Sequence, residues 1–94
     1  MEIEMSWEVR IPKAVTKQAK KLPHEMQLTS VVLLGDLKRN GPFPGQRWKN
    51  YSKLSKTRHH CHLSHKWVAC WEVPESQIKI MEVYYVGSRE NAPY

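Results

Sequence analysis

From Ile3 to Ile11 every odd position is apolar (Ile3, Met5, Trp7, Val9, Ile11) and every even one is polar. Side chains of an extended chain alternate between two faces, so this segment predicts a strand with one buried face. Pro12 then suits the start of a helix, and Val15, Ala19 and Leu22 recur at helical spacing. Pro23 opens a second predicted helix, on which Met26, Val31, Leu34 and Leu37 face the core. Asn40, Gly41 and Pro42 end it with a left-handed cap and a block to continuation. So few residues separate the helices that they must form a hairpin.

Gly41 to Gly45, reading GPFPG, is a loop stiffened by two prolines. Arg47 to Ser55 is ambiguous, with Trp48, Tyr51 and Leu54 placed to cover an edge of the core. Lys56 to Leu63 predicts a strand whose faces divide clearly. Lys56, Arg58, His60 and His62 point one way, and Thr57, His59, Cys61 and Leu63 the other. A turn at Ser64 to Lys66 leads to a central strand, Trp67 to Val73. Pro74 to Ser76 turns the chain into Ile78 to Val86, a strand with apolar residues on both faces, and Gly87 to Tyr94 forms a short tail. The expectation is one α+β domain over residues 1–94, in the order β-α-α-β-β-β: an antiparallel sheet packed against a helical hairpin.

A chain of 94 residues that is 40% hydrophobic, with 4 tryptophans, reads as a folded domain rather than a disordered basic tail. No apolar stretch is long enough to span a membrane, and the N-terminus lacks a signal-peptide core, so a soluble cytoplasmic protein is expected. Cys61 and Cys70 form no paired-cysteine motif and suit a reducing compartment, although strand pairing would allow them to meet as a disulfide.

The charge of +6 is unevenly placed. Between Asp36 and Glu72 there is no acidic residue, yet that stretch holds eight Lys or Arg and four of the five histidines. Such a field attracts polyanions, and Trp48, Tyr51, Trp67 and Trp71 within it offer surfaces for bases. Arg47, Lys49, Lys53, Lys56 and Arg58 are the candidate RNA-binding residues. Cleaving RNA through its own 2′-OH needs a base, an acid for the leaving 5′ oxygen, and cations to offset charge on the phosphate. His60 and His62, alternate residues of one strand, lie about 7 Å apart by strand rise and can engage one phosphodiester. Two readings of this row stand: a solvated strand face, or a reaction site.

Other residues have plainer readings. His59 falls on the opposite face and reads as a hydrogen-bonded core-side histidine, and His65 lies in a turn. The crowd of His59, His60, Cys61, His62 and His65 matches no standard zinc spacing, and strand alternation splits it between faces, so no metal or cofactor is expected. Trp67 and Trp71 share a face and read as core, and the cysteines read as small buried hydrophobes. Arg89 and Tyr94 fit no core periodicity.

With its element order, the segment HHCHLSHKWVACWEV and the ending IKIMEVYYVGSRENAPY, the chain resembles the RelE/ParE superfamily of bacterial toxins, specifically the RelE-like endoribonucleases. The resemblance covers essentially the whole chain, and the final strand running through Val-Gly-x-Arg-Glu to a terminal Tyr is its most specific part. It implies the toxin of a type II toxin–antitoxin system: a ribonuclease that enters the 30S decoding site, cuts mRNA, and is held inactive by a cognate antitoxin. By position it implies that Arg89 stabilises the reacting phosphate and that Tyr94 stacks on a base or assists proton transfer. His60 and His62 fall where typical members carry paired lysines. Val68 stands where some members carry a further catalytic arginine, a charge that Arg58 could supply instead. The alternatives are a ParE-like gyrase inhibitor, which needs no histidine pair, and a non-catalytic RNA- or ribosome-binding module, for which the basic segment suffices.

Overall fold

The computed structural model describes residues 6–94. Its elements are β1 (Glu8–Arg10), α1 (Lys13–Lys20), α2 (His24–Asn40), a short 3-10 turn (Gly45–Arg47), β2 (Lys49–Lys53), β3 (Arg58–His62), β4 (Trp67–Glu72) and β5 (Ile80–Ser88). The five strands form one sheet in the order β1-β5-β4-β3-β2. β2 to β5 make an antiparallel meander, and β1 closes the other edge by pairing parallel to β5. The α+β sandwich matches expectation, with two refinements. The ambiguous segment after the loop contributes a strand, and the N-terminal strand joins in parallel because two helices carry the chain back across the sheet. Ile3 and Met5, the first two residues of the alternating run, lie outside the described residues.

Both helices cover one face of the sheet. Val15 and Leu22 from the α1 side and Leu33 and Leu37 from α2 meet Cys61, Leu63, Ala69, Trp71, Met81, Val83 and Val86 in one buried cluster. Gln27 ties the hairpin corner, donating from Nε2 to the carbonyls of Lys20 and Leu22 at 3.1 and 3.0 Å. On α2 the buried stripe runs through Ser30, Leu33 and Leu37, with Met26 and Leu34 half-buried beside it. Val31, expected in the core, is instead 66% exposed. One residue turns a helix by about 100°, so a stripe centred on Leu33 and Leu37 sends Val31 outward.

The loop after α2 is structural. Gly41, at φ 93°, has the Trp7 indole nitrogen 3.1 Å from where a Cβ would sit, so both its conformation and its neighbour demand glycine. Pro42 and Pro44 are fully buried, and the Pro42 carbonyl accepts a 3.0 Å hydrogen bond from Trp71 Nε1. The loop thereby satisfies the one polar atom of the largest buried side chain.

Candidate functional site

The second face of the sheet, away from the helices, is built by cross-strand pairs. Arg58, His60 and His62 of β3 lie opposite Glu72, Cys70 and Val68 of β4. His60 and His62 are only 7% and 9% exposed, so the histidine end of this row is not a solvated strand face, whereas Arg58 is exposed. Their rings sit 5.7 Å apart, centroid to centroid, and Tyr94 packs on His60 at 4.5 Å. Val68 is fully buried on the same face, directly opposite His62 and Gly87. An apolar residue there walls this part of the face.

An irregularity in β5 supplies two tyrosines to this face. Cys70 pairs with Tyr85 and Trp71 with Val83, which leaves Tyr84 as an extra residue. A bulge of this kind breaks the alternation and lets neighbouring residues share a face. Tyr84 hydrogen-bonds Cys70 and carries the Arg58 guanidinium over its ring at 5.0 Å. Tyr85 folds back over Gly87 and donates to the Ser88 carbonyl at 2.8 Å. A Cβ at Gly87 would lie 2.7 Å from that hydroxyl, so glycine is needed for the ring to close there. Sequence reasoning missed both tyrosines. The signal was the shift in apolar spacing from Met81 and Val83 to Val86.

The tail folds back rather than trailing away. The Arg89 N–H donates to the Lys66 carbonyl at 2.8 Å, and successive turns return Ala92 to Arg89 and Tyr94 to Ala92. Beside it, His65, Lys66, Trp67, Ser88, Arg89 and Glu90 line a cleft of about 430 Å³.

Electrostatics on this face favour neutral histidines. Burial lowers the pKa of His60, His62 lowers it further, and a hydrogen bond to the Ser52 backbone offsets part of this. His62 is lowered by burial and by Arg89, with a Ser64 backbone hydrogen bond opposing and His65 adding a small push downward. A proton on His62 therefore disfavours one on His60. Burial first raises Tyr94, keeping its phenol protonated. Burial also pushes the thiols of Cys61 and Cys70 up to about 12, so neither is a nucleophile at neutral pH. The two cysteines are free and point to opposite faces, Cys61 beside Ala69 and Cys70 beside His60.

The expected RNA-binding residues divide. Lys49 and Arg58 take register positions on the histidine face, opposite His62 and Glu72. Arg58 is not free: its Nε donates to Glu72 at 3.3 Å. Arg47 is bound through Nε and a terminal nitrogen to Asp36, both at 3.1 Å, which ties the lead-in of β2 to α2. Lys56 pairs with Glu75 at 2.9 Å on the surface. Lys53 lies on the helix side, over Phe43 and near enough to lower His59. Asp36 and Glu72 bound the acid-free stretch in sequence, and folding brings both back onto it. His59 is a core-side histidine as expected: 1% exposed, its ring nearly parallel to those of Tyr51 and Trp71 in a mutual cluster, with its Nδ1 2.8 Å from the Tyr51 hydroxyl. Trp71 is wholly buried and Trp67 half-buried against the core. Among the described residues no cluster of His, Cys, Asp and Glu is placed to hold a metal ion, and no helix is long and apolar enough to cross a membrane.

No known family profile matches the sequence, and no curated protein matches it. Solved structures do. The archaeal RelE–RelB complex from Pyrococcus horikoshii OT3 superposes with a TM-score of 0.72 at 18% identity, covering 94% of this chain and 100% of that one. The YoeB dimer from Staphylococcus aureus gives 0.67 at 15% identity, covering 87% and 95%. The YoeB–YefM complex from the same organism gives 0.65 at 14% identity, covering 86% and 94%. The fold is that of the RelE-like toxins.

Proposed function

We propose that this chain is the toxin of a type II toxin–antitoxin pair, a metal-independent endoribonuclease that cuts mRNA in the decoding site of the ribosome. The observation that carries the proposal is the gathering of His60, His62 and Tyr94 on one sheet face, with Arg89 at its rim. In this reading one histidine takes the 2′-OH proton and the other returns a proton to the leaving 5′ oxygen. Arg89 offers two parallel donors to the phosphate as charge develops on its oxygens. Tyr94 holds His60 and presents a ring and a protonated hydroxyl to the substrate. The buried floor of Val68 and Cys70 keeps the local dielectric low, which strengthens each of these interactions.

The partner in this reading is a cognate antitoxin, supported by the two complexes among the structural neighbours. A groove between β1 and α2, lined in part by Trp7, Val9, Ile11, Val31, Leu34 and Lys38, leaves apolar surface for a segment of it. Ile11 and Val31 are exposed there, and Lys38 in its lining suits an acidic segment.

Expression in cells tests the proposal. Translation should stop with mRNA cut at discrete positions, before DNA supercoiling changes. Early gyrase-linked DNA damage with intact mRNA would favour the ParE-like alternative, and translation arrest without cuts would favour a binding module.

A further inference from the structure

The cleft beside the tail is built at the end of the β4–β5 ladder. Trp67 pairs with Ser88 there, and the Arg89 N–H donates to the Lys66 carbonyl at 2.8 Å, one residue beyond both strands. From β3 and its turn, the N–H groups of Leu63 and Ser64 both donate to the Trp67 carbonyl, at 2.7 and 3.2 Å. The backbone of Trp67 is thus held from both neighbours, while its side chain is only half-buried and lines the cleft. The indoles of Trp48 and Trp71 donate their N–H groups to Asp36 and to the Pro42 carbonyl. Among the described residues the Trp67 indole has no hydrogen-bond partner, and no other ring or cation packs on it.

We infer that this cleft is a nucleobase subsite, in which the Trp67 indole receives a base of the RNA strand whose phosphate lies at Arg89. The inference rests on the ribonuclease reading above and adds a binding residue to it. Arg89 belongs to both places: it lines the cleft, and its charge is felt at His62. A phosphate held by Arg89 therefore has its sugar and base within reach of the cleft, whose volume of about 430 Å³ has room for one nucleotide. The cations Lys66 and Arg89 attract the backbone of the strand, and an indole takes the flat face of any base. Glu90, the one acid in the lining, accepts from base N–H groups but repels phosphate, so it favours the base over the backbone. Periodicity places Trp67 in the core. The fold gives it two contacts, packing it against the core and leaving the rest of the ring to the cleft.

A trinucleotide of 2′-deoxyadenosine lacks the attacking hydroxyl and so reports binding without cleavage. Titrated into ¹⁵N-labelled full-length protein, it should shift the Trp67 indole N–H signal together with the Lys66 and Arg89 amides. The abasic trinucleotide should shift the two amides alone. Trp67→Leu, checked for its fold by circular dichroism, should bind the adenine trinucleotide roughly tenfold more weakly and the abasic one as before. Trp67→Phe keeps an aromatic face and should lose about threefold or less. The wild-type spectrum needs no substitution, so it decides the matter even where Trp67→Leu does not fold. An indole signal that stays still, or equal weakening of both probes in Trp67→Leu, would overturn the inference and leave the cleft a phosphate site only. A shifted indole in a protein that cuts no RNA on programmed ribosomes would instead sink the ribonuclease reading and leave the nucleobase subsite standing.

Discussion

The phenol of Tyr94 lies over the imidazole of His60, ring centroids 4.5 Å apart at an angle of 48°. The tail is thus part of the site, and it helps bury the ring it touches. Burial is the leading cause of the lowered His60 pKa, so Tyr94→Ala should raise that pKa toward the ordinary histidine value, whereas Tyr94→Phe should hardly move it. NMR titration of His60 in the two variants checks this. Equal shifts in both would mean that the hydroxyl, not the packing, sets the environment.

His59 links pH to stability. Burial, with a smaller push from Lys53, lowers its pKa from 6.5 to about 4, so the folded protein refuses a proton that the unfolded chain accepts. Its contribution to stability is complete above pH 6.5 and is lost as pH falls from there toward 4. The loss should approach roughly 3 kcal/mol for this group. His60 and His62, also lowered, act in the same direction. Denaturant unfolding at pH 7 and pH 4.5 should show the fall, and His59→Gln should flatten part of it. A stability profile unchanged by His59→Gln would refute the assignment.

Asp36 fastens the loop to the helix. Burial pushes its pKa up, but hydrogen bonds from Arg47, Asn40 and Trp48 outweigh that and hold the carboxyl below its usual range. The Trp48 indole nitrogen is 2.7 Å from the carboxylate. Asp36→Ala leaves these donors without their acceptor and should cost roughly 1–3 kcal/mol in unfolding experiments. No measurable loss would place this cluster among the weak surface pairs.

In the proposed reaction Arg89 supplies the charge at the phosphate. A lysine there keeps the charge but loses the planar pair of donors. Arg89→Lys should lose most cleavage while ribosome binding changes little. Equal losses of binding and cleavage would make Arg89 an anchor.

The parts legible in the sequence were those with one dominant period. The helices, β3, β4 and the alternation of His59 with His60 follow from spacing. β2 was not legible, because the positive φ of Asn50 and the register shift around it break any period of two. The β5 bulge hid Tyr84 and Tyr85 in the same way. Val31 was misplaced because α2 carries apolar residues around much of its circumference, and spacing alone does not say which of them meets the sheet. The burial of His60 depends in part on the folded tail, and the pairing of Arg47 with Asp36 on a contact eleven residues apart in sequence. Neither leaves a local pattern.

In the proposed reaction the histidine pair performs acid/base cleavage. The most direct test is single-turnover cleavage of mRNA on programmed ribosomes by the purified wild type and by His60→Gln, His62→Gln and the double variant, each checked for its fold by circular dichroism. Each single change should lower the rate by roughly two to four orders of magnitude. The double variant should be little worse than the poorer single one, because the two residues act as a unit. A folded double variant that cuts mRNA at the wild-type rate would contradict the account.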